Sequence, residues 1–355
     1  MFPNRDPANK HNQNTHLYWN LASVRAIIPG QIKDDDLFKP IKTALSRYPA
    51  ESYELVIGTA SAANFDANTV DVVVSADGTT RTLAYDHLVL ATGSRAASSD
   101  VPWKASGSYE ELLDTLHKTA ARVKDAEHIV VAGAGSTGVE VAGELGFEYG
   151  KTKSITLLCS SAQLLGGHSA AAAAAAELKK LNVAIKYGAH VQETRPGAAD
   201  KGKTDVVLAD GEVLATDLYL PTTGLVPNTE YVPARHLSAA NPDYRTVLVN
   251  ENLQVEGTAN VWACGDVVSQ PRAGFFITQK QAASVARNLQ AALAGQPLAA
   301  HKGLPVDILA CAVGRGRGVG RINDKIRLPS LMVWLAKGRT LALQMMSGYV
   351  DGSVA

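Results

Sequence analysis

The stretch HIVVAGAGSTGVEVAGELGFEY, His128 to Tyr149, places a strand, a glycine turn and a helix in immediate succession. Ile129, Val130, Val131 and Ala132 form a short unbroken apolar run rich in β-branched residues, the pattern of a strand covered on both faces in a parallel sheet. Gly133, Gly135 and Gly138 follow at once as G-x-G-x-x-G, with a strand before and a helix after, the context in which that spacing has a mechanism. The first glycine permits the tight turn, the second lets a pyrophosphate approach the backbone, and the third lets helix and strand pack closely. Ser136 and Thr137 fall at the start of the helix, where free N–H groups face an anion. The stretch therefore reads as a dinucleotide-binding unit. Within the helix, Val141, Ala142, Leu145 and Tyr149 make one apolar face, and Glu140, Glu144 and Glu148 line another. Glu144 and Glu148 read as solvated. Glu140 lies one turn beyond the glycine loop, within reach of a nicotinamide ring or ribose.

The next apolar strand, Ile155 to Leu158, ends in Cys159, Ser160 and Ser161. In such folds an acidic residue there favours NAD and a nearby arginine favours NADP. Ser160 offers a hydroxyl to the ribose and no charge, so NADH and NADPH both stay open.

Composition bounds the rest. The chain has 355 residues, 46% of them apolar, enough for two or three cores. With 34 basic and 34 acidic residues it gives no bulk electrostatic reason to bind nucleic acid. Cys159, Cys264 and Cys311 are widely spaced, with no C-x-x-C to serve as a redox dithiol or metal clip, and no metal site is expected. The opening MFPNRDPANKHNQNTH has no apolar segment of signal-peptide type, and no apolar run reaches membrane-spanning length. The expectation is an intracellular, cytoplasmic protein, with a peripheral place on a membrane or the mitochondrial surface as the alternative.

Working outward, Leu17 to Pro29 is apolar with the single charge Arg25, Pro40 to Arg47 predicts a short helix, and Tyr53 to Ile57 predicts a strand. Val70 to Val74 and Thr80 to Leu83 flank Asp77-Gly78, a hairpin signal. Ser108 and Glu111 form a capping box ahead of a helix. Ala170 to Ala176 reads as a surface helix of high propensity. A repeat then emerges: Val206 to Leu208, Asp210-Gly211, Val213-Leu214, Asp217, Leu218 to Leu220 and Thr223-Gly224 restate the order found from Val72 to Gly93. In both copies Asp precedes Thr-Gly by six positions, as Asp86 does Thr92 and Asp217 does Thr223. Two nested, similar nucleotide-binding halves are expected. The spacing of the second half would place the first glycine loop near residue 2, yet the first glycine of the chain is Gly30.

Three stretches, YDHLVLATGS, IVVAGAGSTGVEVAGEL and ANVWACGDV, resemble the two-dinucleotide-binding-domain flavoproteins in order and spacing. The opening LYWNLASVRAIIPGQ and the closing VGRGRGVGRI and LPSLMVWLAKGRTL resemble, within that superfamily, the apoptosis-inducing-factor-like and ferroptosis-suppressor-like NAD(P)H:quinone oxidoreductases, fungal members above all. The resemblance implies an α/β fold of two nested Rossmann-like domains and a small C-terminal domain. Its divisions would be 1–100 (FAD, first part), 101–225 (NAD(P)H), 226–300 (FAD, second part) and 301–355 (substrate and interface). It assigns Ala91, Thr92 and Gly93 to the flavin turn and Asp266 of Ala263-Cys264-Gly265-Asp266 to the ribityl chain. Arg25 and the repeat's Gly224 join Gly133, Gly135, Ser136, Thr137, Gly138, Glu140 and Ser160 as cofactor-binding candidates. The helix Gly274 to Asn288 is expected to face the flavin with its N-terminus, bordered by Phe275 and Phe276. Without the first glycine loop, the amides that meet the FAD pyrophosphate are missing, and weak FAD retention is expected of the chain as it stands. A sequence shortened at its start is the preferred explanation, over a protein that has lost FAD or an N-terminus supplied by another chain.

The resulting expectation is an FAD-dependent NAD(P)H oxidoreductase delivering electrons to a quinone-like acceptor, in respiration or in a specialised biosynthetic pathway. The alternative is a flavin-free NAD(P)H-binding protein without turnover. Glu140 and Lys337 are the candidate catalytic residues, approaching the flavin from opposite sides. Seven basic residues and the one acidic Asp324 between Arg315 and Arg339 suggest a peripheral membrane contact through 315–346. Leu331 to Leu335 reads as a helix apolar all round, buried, membrane-seated or in a homodimer.

Overall fold

In the computed structural model, which describes residues 15–239, 241, 244–268, 270 and 272–353, the glycine-loop stretch lies at the centre. His128–Ala132 is an inner strand of a four-stranded parallel sheet ordered Val183–Tyr187, Ser154–Cys159, His128–Ala132 and Leu218–Pro221. Ile129, Val130, Val131 and Ala132 are all buried, as an unbroken β-branched run between two covered faces requires. The helix Ser136–Tyr149 packs Val139, Val141, Ala142 and Leu145 into the core at 0% exposure. Each of these valine and leucine side chains stabilises the fold by about 1.5–3 kcal/mol.

The repeat read from the sequence is present as structure. Gly58–Asn64, Thr69–Val74 and Thr80–Ala84 form one antiparallel meander, and Val191–Pro196, Thr204–Leu208 and Val213–Thr216 form the other. Each leads into a parallel strand, Leu88–Leu90 and Leu218–Pro221 respectively. Each then ends in a Thr-Gly turn whose glycine has a left-handed backbone, φ 67° at Gly93 and 80° at Gly224. The architecture is mixed α/β, with Rossmann-type parallel pairing and antiparallel meanders. Leu88–Leu90 pairs with Val261–Ala263, and around them Trp262, Val247, Val255 and Leu90 build a second core separate from that of the four-stranded sheet.

Other local expectations hold or shift by small amounts. Ser108 and Glu111 make both capping-box hydrogen bonds, 3.2 and 2.8 Å, at the head of the helix Tyr109–Asp125. The expected short helix is Ile41–Leu45, and the helix expected from Gly274 runs Phe275–Leu293. Tyr53 to Ile57 is not a strand; pairing begins at Gly58, where Thr69–Val74 supplies a partner.

One expectation is corrected and one narrowed. Glu144 is not solvated but 1% exposed, because Arg25 and Arg315 converge on it. Of the three readings of Leu331 to Leu335, burial within this chain falls away: the helix Ser330–Val333 and its continuation Trp334–Gly338 bury Val333 and leave Leu331, Met332 and Leu335 at 63, 57 and 53% exposure. This segment follows a three-stranded antiparallel sheet, Ile308–Val313, Arg317–Ile322 and Ile326–Leu328. The sheet presses on the glycine-loop helix so closely that a Cβ on Gly143 would meet the Gly314 amide nitrogen at 2.7 Å.

Candidate functional site

A cleft of about 440 Å³ opens where the two halves and the C-terminal segment meet. That volume falls within the range of ligand pockets. Because Leu90 and Ala263 are register partners on parallel strands, the turns that follow both strands lie side by side at their carboxyl ends, the usual place for a ligand in an open α/β sheet. They deliver Ala91 and Gly93 from one and Cys264, Gly265 and Asp266 from the other. Gly274 and Phe275, at the start of the nineteen-residue helix Phe275–Leu293, close the same end. Ser136, Thr137 and Glu140 from the glycine-loop helix form another part of the wall with Thr222 and Thr223, and Lys337 reaches in from the C-terminal segment.

The three loop glycines have three distinct reasons. Gly133 has φ 108°, and a Cβ there would strike Thr223 Cγ2 at 2.4 Å. A Cβ on Gly138 would lie 1.7 Å from the Gly133 carbonyl oxygen, whereas one on Gly135 would meet nothing within 4 Å. Helix packing thus demands Gly138, and the space above Gly135 is left open on the side where a pyrophosphate approaches.

Two carboxylate–ammonium pairs line the cleft. Asp266 Oδ2 accepts from Lys104 Nζ and from Ser94 Oγ, both at 2.7 Å. Burial pushes the Asp266 carboxyl up, but the Lys104 charge and the two hydrogen bonds outweigh it and hold the group below the ordinary aspartate range. Glu140, 5% exposed, takes Lys337 Nζ at 2.5 Å and the Ala312 amide at 3.0 Å on the same oxygen. Burial alone would lower the Lys337 ammonium, yet the Glu140 charge outweighs it and holds Lys337 above the usual lysine range. Beside them Cys311, fully buried, has its thiol pushed well up by burial and donates to the Ser136 carbonyl at 3.6 Å. Glu140 and Lys337 therefore do not face the site from opposite sides; they form one unit.

Other candidates are placed differently from expectation. Arg25 is 7% exposed and turns its Nε and Nη2 to Glu144 Oε1 at 2.9 and 2.8 Å, with further bonds to the Gly338 and Arg339 carbonyls. It ties the glycine-loop helix to the C-terminal segment. Thr92 points its hydroxyl at the Asn228 carbonyl, 2.7 Å away, so in that turn Ala91 and Gly93 line the cleft and Thr92 braces it. Gly224 shapes the second Thr-Gly turn, while its neighbours Thr222 and Thr223 reach the cleft. Ser160 is exposed at the end of its strand. Phe275 lines the cleft and meets Trp19 and Tyr349 edge-on, whereas Phe276 is 52% exposed. Ser94, Lys104, Trp103 and Thr222 carry no signal of this role in the sequence, and Thr223 signals only the turn of the repeat. Lys104 follows a Pro-Trp pair in the segment after the Thr-Gly turn, a position that carries no motif.

The cleft offers an open glycine backbone at Gly93, a carboxylate at Asp266, an aromatic wall at Phe275 and a helix N-terminus. The expectation that a first glycine loop is missing falls on residues outside those described.

The family described as pyridine nucleotide-disulphide oxidoreductase matches residues 7–292. The oxidoreductase ptaL of Pestalotiopsis fici is 35% identical over 344 residues, covering 96% of this chain and 90% of that one. Human ferroptosis suppressor protein 1 is 31% identical over 270 residues, covering 73% and 70%. The sulfide:quinone oxidoreductase of Aquifex aeolicus has the same fold, with a TM-score of 0.71 at 17% identity, covering 95% and 84%. The family is one of flavin-dependent NAD(P)H oxidoreductases that bind FAD and NAD(P)H.

Proposed function

The chain belongs to the pyridine nucleotide-disulphide oxidoreductase family, and on that premise we propose that it is an FAD-dependent enzyme passing electrons from NADH or NADPH to a quinone-like acceptor. The observation that carries the reading is one cleft receiving both the first turn of the glycine-loop helix and the Gly93–Asp266 pair of turns. Bound FAD supplies the relay between the two-electron donor and the acceptor. The chain's own residues do the rest. The amides from Gly133 to Gly138 hold the nicotinamide dinucleotide by its pyrophosphate. Glu140, fixed by Lys337 and the Ala312 amide, orients the nicotinamide. The N-terminus of Phe275–Leu293 faces charge that develops in the cleft. Trp19, Phe275 and Tyr349 exclude water. A disulfide substrate is disfavoured, since Cys159, Cys264 and Cys311 are each free and buried.

Anaerobic mixing of the purified yellow protein with NADH or NADPH, followed by a water-soluble quinone, tests this directly. Bleaching by the nicotinamide and recovery on quinone addition are expected. A flavin-loaded protein that NAD(P)H leaves oxidised would sink the proposal, and a colourless protein that binds NAD(P)H would support the flavin-free alternative.

The C-terminal segment supports a peripheral contact with an anionic lipid surface. Ile326, Leu331, Met332 and Leu335 are exposed at 60, 63, 57 and 53%, beside the exposed Arg317, Lys325, Arg327 and Arg339. No helix among the described residues is long and apolar enough to cross a membrane. Co-sedimentation with phosphatidylserine vesicles is expected, and Leu331→Glu with Leu335→Glu should weaken it at least tenfold, since burying one leucine contributes about 1.5–3 kcal/mol. Dimerisation through this ridge without vesicle binding would replace the membrane by a second copy.

A further inference from the structure

Among the described residues, four charged side chains line the cleft, Lys104, Glu140, Asp266 and Lys337, and they form two ion pairs with no net charge. Of these, Lys104 has no assigned part in binding. Its position is nonetheless tightly built. Val101 and Trp103 just before it are 4 and 6% exposed. The Trp103 indole donates to the Pro221 carbonyl at 2.7 Å, Tyr18 donates to the Pro102 carbonyl at 2.7 Å, and Asn20 donates to the Trp103 carbonyl at 3.2 Å. The backbone leading to Lys104 is thus tied to the parallel sheet on one side and to the opening segment on the other. Its ammonium ends 2.7 Å from Asp266 Oδ2, with Ser94 Oγ on the same oxygen.

We propose that Lys104 is a positioning residue of the flavin site, fixing the Asp266 carboxylate at the ribityl end of the cleft and cancelling its charge there. The inference rests on the flavin reading of the cleft given above. Without Lys104, a carboxylate on the wall of a partly enclosed cleft would oppose both the phosphates of an incoming dinucleotide and the extra electron density of a reduced ring. Ser94 and Lys104 face Asp266 from the segment after Leu88–Leu90, Cys264 lies on its own turn, and Glu140 and Lys337 complete the charged lining. The sign of the pH effect follows. Asp266 sits below its ordinary value of 3.8, so what its ionised form contributes is present above that value and lost only as pH falls through the lowered one. Removing Lys104 takes away the charge and one of the hydrogen bonds that oppose burial, so the group moves up and the loss begins at higher pH.

The test uses the full chain stripped of flavin and titrated with FAD by fluorescence quenching, together with the flavin midpoint potential. Lys104→Met is expected to weaken FAD binding at least tenfold, to lower the potential and to move the acid limb of binding upward. Lys104→Arg should restore all three, Ser94→Ala should give a smaller shift of the acid limb, and Asp266→Asn should remove the limb in either background. Melting temperature and NADH affinity serve as controls for folding. If the parent binds FAD and Lys104→Met matches it in affinity and acid limb, or arginine fails to rescue, this inference falls while the oxidoreductase reading stands. If the parent takes up no FAD, both fall.

Discussion

Lys337→Met is expected to destabilise the protein by about 3–5 kcal/mol, the cost of leaving one member of a buried ion pair alone, and to slow turnover by about a hundredfold or more. Glu140→Gln should slow it comparably. The two effects separate in the double variant Glu140→Gln with Lys337→Met. That protein recovers most of the stability, because a buried pair replaced on both sides by neutral groups is close to neutral in free energy. It does not recover the rate, because a preorganised charge at such a site typically contributes ~2.7–4 kcal/mol to the transition state. The geometry makes the coupling strong: Lys337 Nζ lies 2.5 Å from Glu140 Oε1, and the same oxygen takes the Ala312 amide at 3.0 Å. Chemical denaturation gives the first quantity, and stopped-flow measurement of flavin reduction and reoxidation gives the second. Since the two residues form one unit, either single variant should impair both half-reactions. Full recovery of rate in the double variant would reduce the pair to a structural device. The alkaline side of the stability profile follows from the same contact. Lys337 is held above the ordinary lysine value of 10.5, so the contribution of its ammonium is complete below that value and is lost only as pH rises through the raised one.

The signals legible in the sequence are the local ones. The glycine loop declared itself because turn, anion site and helix packing all fall within a few residues, and the two meanders did so because each carries its own turn glycine before a Thr-Gly pair. What stayed hidden depends on partners distant along the chain. Glu144 looks solvated on its own helix, and only the arrival of Arg25, 119 positions earlier, and of Arg315 turns it into a buried ion-pair centre. Arg25 itself carries no local hint that its guanidinium is consumed by Glu144 and the Gly338 and Arg339 carbonyls instead of by a cofactor. Lys104 and Asp266 meet across 162 positions, and nothing near either residue announces the other. The apolar run from Leu331 showed hydrophobicity without direction, because whether such a helix is covered depends on what packs against it. Here the sheet beneath buries Val333 and leaves Leu331, Met332 and Leu335 outside.

Gly135→Val and Gly138→Val should fail in different ways, and the difference tests the nucleotide site itself. At Gly135 the backbone is extended, φ −71° and ψ −174°, and an added Cβ meets nothing within 4 Å. The valine is therefore accommodated in the free protein, whose melting temperature should stay close to that of the parent. Its branched side chain stands where the pyrophosphate has to approach the loop amides, and NADH and NADPH affinity should fall by at least a hundredfold, on the order of 2.7 kcal/mol by the usual conversion. At Gly138 the added Cβ lies 1.7 Å from the Gly133 carbonyl oxygen and 2.7 Å from Thr222 Oγ1. Both neighbours belong to the turn and to the strand end that hold the loop, so the helix must shift bodily. Overpacking of this kind costs about 1–3 kcal/mol and at times more, so this variant should lose stability and nucleotide binding together. Calorimetric titration and thermal melts on the two proteins decide the matter. Unchanged affinity in a well-folded Gly135→Val protein would mean that the dinucleotide is held elsewhere, and equal destabilisation of both variants would mean that the space above Gly135 serves packing and not a ligand.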